Sequence, residues 1–181
     1  MRRLNFSNIV MISVTIFGML ALFNFSDMTT VEAHESKPLK VSYKNLSPHA
    51  KKQVECLAQN IYYEAGWEPK NGQIAVAMVT LNRVEDGRFA NSICGVVKQK
   101  TQNTCQFTWF CENKTLTKVN HSVYNEVKDL AAYVYANQQK IKDPSKGALF
   151  YHADYVNPGW KNMVYLTKIG RHKFYNRKEN V

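Results

Sequence analysis

Acidic residues are scarce in this chain of 181 residues: 14 Asp and Glu are set against 24 Lys and Arg, which gives a formal net charge of +10. Such a surface attracts anionic partners, and charge alone does not choose between nucleic acid, membrane headgroups and acidic polymers. The sequence also lacks internal repeats and low-complexity stretches, and 45% of its residues are hydrophobic and 12% aromatic. This composition excludes a disordered tail protein and favours one compact domain.

The first 33 residues have the layout of an export signal. Arg2 and Arg3 precede an uncharged apolar run over residues 9–25, and the small-residue pattern ending at Ala33 is typical of a signal-peptidase site. We expect a cleaved signal peptide, with an uncleaved membrane anchor as the alternative because the run approaches a bilayer-spanning length. The expected organisation is a leader over residues 1–33, a polar tether over residues 34–46 and a single domain over residues 47–181.

Export has consequences for the partners of the basic charge. The leader's two basic and two acidic residues cancel, so the exported part keeps the whole net charge. A periplasmic, cell-envelope or extracellular location argues against a nucleic-acid partner, and it favours anionic wall polymers or a membrane surface. A basic surface that serves only solubility is the alternative.

Metal and redox patterns are absent from the sequence. The five histidines show no metal-ligand spacing and the four cysteines include no Cys-x-x-Cys pair, so no metal site or cofactor is expected. Four cysteines in an oxidising compartment favour two disulfides. Of the three possible connectivities we favour Cys105–Cys111, which closes a short loop, with Cys56–Cys94 tying a helix to a later segment.

Periodic apolar residues predict three helices. The first is expected over residues 48–65, because Ser47-Pro48 provides a cap followed by a proline in the first turn, and Gly66 ends the pattern. A second helix is expected around residues 74–84, and a third is expected to begin at a cap on Ser122.

The remaining segments predict a loop region and strands. Residues 88–117 are irregular and suit a disulfide-linked loop region that lines a surface. Residues 148–156 and 163–169 are rich in aromatic and β-branched residues, which predicts two strands joined by a turn over residues 157–160. Residues 171–174 either extend the second strand or form a third.

One acidic residue lies on an apolar helix face. Val54, Leu57 and Ile61 form a stripe on the first predicted helix, and the next position of that stripe is Glu64. A carboxyl among apolar and aromatic neighbours loses solvation of its charged form, so its pKa rises and it can act as a general acid. From position alone, a buried glutamate satisfied by an arginine or a backbone donor is the alternative.

Several segments together carry a family resemblance. They are Leu57–Ala65, Gly72–Val84, Cys105–Trp109, Tyr151–Trp160 and Ile169–Tyr175. These segments resemble the SleB/CwlJ-type cell-wall hydrolases, the family of spore-cortex-lytic enzymes. The resemblance implies an α+β, lysozyme-like domain that is mainly helical, carries a short antiparallel sheet and is held by disulfides.

The same resemblance implies an activity. Members of the family cleave the glycan strand of peptidoglycan between N-acetylmuramic acid and N-acetylglucosamine, as lytic transglycosylases. One glutamate protonates the glycosidic oxygen and then removes the proton of the muramic 6-hydroxyl, so that an anhydro sugar forms without attack by water. The family's catalytic glutamate corresponds to Glu64. The protein is expected to act on peptidoglycan as a monomer.

The chain departs from the family beside this glutamate. The family usually has Tyr-x-Glu-Ala-Arg-Gly-Glu, whereas this chain has Gly66 in place of the arginine and Trp67 before the second glutamate. We expect Trp67 to offer a sugar-stacking face. Gly66 and the pre-proline position of Glu68 argue that the helix stops short of Glu68, which is assigned a supporting role. The other substrate-binding candidates are Gln106, Tyr151, His152, Asn157 and Trp160.

The sequence leaves three other functions open. A hydrolytic muramidase would use the same site and release reducing ends. A Cys/His peptidase or amidase would need Cys56 as a thiolate nucleophile with His152 and His172 as its partners. A basic wall-binding module would have no catalytic role. Asn82 and Arg83, at the end of the second helix, fit equally well as a cap and a structural ion pair.

Overall fold

The computed structural model describes residues 40–102, 104–112, 114, 116 and 119–178. The predicted leader and the first part of the predicted tether lie outside these residues. The described residues form five α-helices and three strands: α1 (Pro48–Ala65), α2 (Lys70–Glu85), α3 (Ile93–Val97), α4 (Thr108–Cys111), α5 (His121–Asn137), β1 (Phe150–Ala153), β2 (Met163–Ile169) and β3 (His172–Arg177). The predicted α+β class is therefore confirmed.

Helix α1 has the predicted bounds because its end signals are local. The Ser47 hydroxyl accepts a hydrogen bond from the Ala50 amide at 3.2 Å, and Gly66 follows the last helical residue. The predicted stripe of Val54, Leu57 and Ile61 is fully buried in the core shared with α2, α3 and α5. Burying side chains of this size stabilises the fold by about 1.5–3 kcal/mol each.

The described end of the polar segment before α1 is folded. Tyr43–Asn45 form a single 3₁₀ turn, and the Tyr43 hydroxyl donates to Glu55 Oε1 at 2.6 Å. Tyr124 on α5 donates to the other oxygen of that carboxylate at 3.0 Å. The last residues of the predicted tether thus pack onto the helices.

Two predictions about the helices were wrong. Helix α5 is capped by Asn120 rather than Ser122, because Asn120 Oδ1 accepts from the Val123 amide at 3.2 Å. The segment predicted as irregular contains α3 and α4, which are too short to show helical periodicity in sequence.

The three strands form one antiparallel sheet in the order β1-β3-β2. Strand β2 has the predicted bounds. Residues 171–174, predicted to extend that strand or to form a third, contribute to β3, which lies in the centre of the sheet. Strand β1 is shorter than the predicted range of 148–156, since Ala148 and Leu149 are buried ahead of it and a turn begins at Asp154. The turn over residues 157–160 therefore links two strands that are not neighbours.

Both favoured disulfides are confirmed. The long-loop disulfide joins Cys56 on α1 to Cys94 on α3 across 38 positions, and the short-loop disulfide joins Cys105 to Cys111 across 6 positions. Within the described part of the chain, no helix has both the length and the apolar character needed to cross a bilayer.

Candidate active site

Glu64 lies in the last turn of α1 and is half-buried. Its Oε2 accepts a hydrogen bond from the hydroxyl of Tyr151 on β1 at 3.2 Å. The Tyr151 ring is held edge-on to His172 at 5.3 Å between centroids and against Phe174 at 5.7 Å. The sheet therefore positions a hydroxyl donor on the carboxyl that the helix supplies.

The surroundings of Glu64 favour its protonated form. Burial raises the pKa of Glu64, and the hydrogen bond from Tyr151 and the charges of Arg83 and Lys114 oppose this effect without cancelling it. Burial and the neighbouring carboxyl also raise the pKa of Tyr151 well above its ordinary value, so the phenol stays a neutral donor. A raised pKa suits a carboxyl to act as a general acid.

Arg83, interpreted from the sequence as a cap or a structural ion pair, has neither role as its main contact. Its buried guanidinium donates through Nε to the Leu149 carbonyl at 2.7 Å. It also lies over three aromatic rings, at 5.3 Å from Phe89, 5.5 Å from Phe107 and 5.8 Å from Phe150. Its Nη1 has no hydrogen-bond partner among the described residues, which leaves a buried donor beside the candidate site.

Glu64 borders two adjoining depressions of about 240 and 170 Å³. The first is also lined by Tyr62, Tyr63, Trp67, Glu68 and Arg171. The second is also lined by Arg83, Gln106, Phe107, Thr108 and Tyr151. The Trp67 side chain is 72% exposed, so its ring is open to a ligand. The carboxyl thus lies where a chain-like ligand would pass from one depression to the other.

Glu68 is held by Arg171, from the turn between β2 and β3. Its carboxylate accepts from the Arg171 amide at 3.0 Å and from Nε at 3.1 Å. Burial alone would raise the pKa of Glu68, but these bonds and the charges of His172 and Arg171 outweigh it and hold the pKa below its usual value. The helix ends before Glu68, as predicted, and Arg171 supplies an arginine partner from another part of the chain.

The structure does not bring every predicted site residue to Glu64. Trp67, Glu68, Gln106 and Tyr151 border the depressions there. His152 faces the other way because neighbouring residues of a strand point to opposite faces; its ring stacks on Tyr175 and meets the edge of Trp160. Asn157 Oδ1 accepts from the Gly159 amide within a turn.

The Cys/His peptidase interpretation was wrong. Cys56 is bonded to Cys94, and none of the four cysteines is free, so the thiolate it needs does not exist. Within the described residues, no group of three or more His, Cys, Asp or Glu side chains is placed to hold a metal ion.

The profile of the Cell Wall Hydrolase family matches residues 67–175, more than half of the chain. The protein belongs to this family. The matched range begins at residue 67 and does not include Glu64. The SleB resemblance seen in the sequence is confirmed by relatives and by solved structures.

The relatives are spore cortex-lytic enzymes. That of Halalkalibacterium halodurans is 30% identical over 125 residues, which are 68% of this chain and 34% of the relative. That of Bacillus subtilis strain 168 is 31% identical over 123 residues, 67% of this chain and 36% of the relative. The chain thus spans about a third of the length of these relatives.

Two solved structures share the fold. The catalytic domain of the germination-specific lytic transglycosylase SleB from Bacillus anthracis superposes with a TM-score of 0.56 at 28% identity, over 73% of this chain and 98% of that one. The catalytic domain of the Bacillus cereus SleB protein gives 0.53 at 27% identity, over 70% and 91%. The predicted lysozyme-like architecture is confirmed by these matches.

Proposed function

We propose that this protein cleaves the glycan strand of peptidoglycan between N-acetylmuramic acid and N-acetylglucosamine as a lytic transglycosylase, with Glu64 as acid and then base. The observation that carries the proposal is the half-buried Glu64 carboxyl, with its raised pKa, at the junction of two depressions. The spore cortex-lytic relatives and the lytic transglycosylase named among the similar structures support the reaction class.

The count of available carboxylates favours a transglycosylase over a hydrolase. Two-carboxylate glycosidases need a second free carboxylate roughly 5–10 Å from the acid. The described residues that line the two depressions include one other carboxylate, Glu68, and it is committed to Arg171. One carboxylate suffices if the sugar's own hydroxyl is the nucleophile.

The proposed reaction has two proton transfers through one group. Protonated Glu64 gives its proton to the glycosidic oxygen as the bond to the muramic anomeric carbon breaks, and the N-acetylglucosamine hydroxyl leaves. The resulting Glu64 carboxylate takes the proton of the muramic 6-hydroxyl while the oxygen of that hydroxyl bonds to the anomeric carbon. The product is an anhydro-muramic end, and Glu64 is protonated again for the next cycle.

Neighbouring groups support these steps. The Tyr151 hydroxyl fixes one oxygen of Glu64, and the Arg83 charge stabilises the carboxylate formed after the first transfer. Trp67 offers a stacking face on one side of Glu64, and Gln106 offers an amide on the other.

The proposal includes a location and a mode of attraction. The chain acts outside the cytoplasm as a monomer, after removal of residues 1–33 or while tethered by them. Its excess of basic residues attracts it to an anionic wall.

Glu64→Gln tests the proposal, with Glu126→Gln as the matched control because Glu126 is an exposed glutamate on α5. General acid–base catalysis contributes about 10²–10⁴-fold to the rate. Glu64→Gln should therefore lose activity on purified sacculi by at least about 10²-fold and keep its binding to the wall. The control should stay active. Mass spectrometry should find anhydro-muramic ends. A fully active Glu64→Gln variant contradicts the role of Glu64, and wild-type protein that binds without cleaving indicates a wall-binding module.

A further inference from the structure

A larger cleft lies outside the two depressions at Glu64. Its volume is about 550 Å³, within the usual range of ligand-binding pockets. It is formed by the loop after α2, by β1, by the connection from β1 to β2 and by the end of β3. We call it the basic cleft, and the lining residues that matter here are Arg88, Phe150, Trp160, Lys161, Arg177 and Lys178.

The basic cleft concentrates positive charge that neighbouring carboxylates balance only in part. Four of its lining residues are cations and none is acidic. Arg88 pairs with Asp86 at 2.6 Å. Lys161, Arg177 and Lys178 form no ion pair with any carboxylate in the described part of the chain. Like charges gathered on low-dielectric walls raise the local concentration of an anionic ligand.

A single aromatic side chain separates the basic cleft from the Glu64 site. The Arg177 guanidinium lies 5.5 Å from the centre of the Phe150 ring, and the Arg83 guanidinium lies 5.8 Å from the same ring. Arg83 borders a depression at Glu64, and its guanidinium lies over the Phe150 ring that lines the basic cleft. Phe150 and Tyr151 point to opposite faces of β1, so the basic cleft and the Glu64 site meet at Arg83. A side branch of a strand bound at Glu64 can therefore extend past Arg83 and Phe150 into the basic cleft.

We propose that the basic cleft binds the free carboxylates of the stem peptides of peptidoglycan, so that the domain prefers glycan strands that still carry peptides. This rests on the proposed function for the identity of the substrate. The planar Arg177 guanidinium suits bidentate contact with a carboxylate. Phe150 and Trp160, the latter 44% exposed, offer apolar surface to the peptide's aliphatic groups.

Stem-peptide carboxylates fit better than the phosphates of a separate wall polymer. They belong to the same strand that occupies the Glu64 site, so binding one part of the substrate raises the effective concentration of the other. A phosphate polymer would have to be recruited independently.

The test measures binding rather than cleavage, in Glu64→Gln protein. The probes are peptidoglycan freed of phosphate polymers, the same material after an amidase has removed its stem peptides, and wall material that keeps its phosphate polymers. Lys161→Gln with Lys178→Gln should weaken binding to the peptide-bearing material about tenfold, equivalent to about 1.4 kcal/mol. Binding to the peptide-free material should not change.

The matched control is Lys98→Gln with Lys140→Gln, which removes the same charge at exposed positions outside the cleft. It should leave both affinities within about twofold, as expected for screened surface charges. Arg177→Lys keeps the charge but loses the planar fork, and it should weaken only the binding of peptide-bearing material. Thermal melts will verify that each variant is folded.

Three results would overturn the inference. An equal loss on both probes indicates general attraction to the glycan, and no loss on either shows that the cleft is not used. A loss that appears only when phosphate polymers are left on the wall assigns the cleft to phosphate. Because the test measures binding and not cleavage, it gives a result on the basic cleft even if the proposed reaction is wrong.

Discussion

Replacing Tyr151 by phenylalanine tests how the Glu64 carboxyl is tuned, because it removes one hydroxyl and keeps the ring. The hydroxyl donates to Glu64 Oε2 at 3.2 Å, and this bond lowers the pKa of Glu64 against the larger, raising effect of burial. Without the bond, burial is less opposed. The pKa of Glu64 in Tyr151→Phe should therefore be higher than in the wild type.

The expected size of the shift follows from the bond. Hydrogen bonds to charged groups contribute about 1.5–3 kcal/mol, and 3.2 Å is long for an O–H donor. The lower limit corresponds to about one pKa unit. Glu64 must be protonated in the free enzyme, so kcat/KM falls as pH rises through its pKa. Tyr151→Phe should move this alkaline limb to higher pH by about one unit.

The assay is the pH dependence of kcat/KM on purified sacculi, with Tyr155→Phe as the control because Tyr155 is 80% exposed and close by in sequence. The control should keep the wild-type limb. A Tyr151→Phe limb that does not move, or that moves to lower pH, would refute the assignment of this limb to Glu64 and the tuning by Tyr151.

Three further predictions concern stability. Gly170 has a φ of +54°, and a methyl group there would overlap the Glu68 carboxylate. Gly170→Ala should therefore lower the melting temperature by several degrees, whereas Gly87→Ala, at an open position, should not. Equal melting temperatures of the two variants would contradict this. The pKa of Glu68 is lowered in the folded state, so its pairing with Arg171 adds stability above the unfolded pKa of about 4.3, and this stability is lost as pH falls through the folded pKa. In urea melts, the free energy of unfolding of Glu68→Gln should fall less with acidification than that of the wild type. A steeper fall in the variant would count against this. Removing the long-loop disulfide, which spans 38 positions, should cost about 4 kcal/mol, against about 2 kcal/mol for the short-loop disulfide, which spans 6; equal losses in denaturant melts would exclude the loop-entropy account.

Local signals made part of the fold predictable. Ser47 and Gly66 bracket α1 in sequence and in the structure. The cap of α5 was missed because Asn120 and Ser122 both carry suitable oxygens, and a distant contact decides between them: the Asn120 amide donates to the Tyr62 hydroxyl at 2.9 Å. The central place of β3 likewise depends on pairing between distant segments, which periodicity does not contain.

The candidate site was predictable only in part. Glu64 could be found because it interrupts an apolar stripe on α1, and Tyr151 and Gln106 through the family resemblance. The position of Arg83 beside Glu64 could not be predicted, because α2 is buried on most sides and its pattern singles out no face. Its role depends on aromatic rings that come from three separate segments.

The origin of the oxygen at the cleaved end decides whether the muramic 6-hydroxyl or water attacks the anomeric carbon. Digestion of purified peptidoglycan in water labelled with heavy oxygen, followed by mass spectrometry, distinguishes attack by the muramic 6-hydroxyl from attack by water. The single-carboxylate mechanism predicts anhydro-muramic ends without label, formed by the wild type and not by Glu64→Gln. Labelled reducing ends formed by the wild type would contradict the single-carboxylate transglycosylase mechanism.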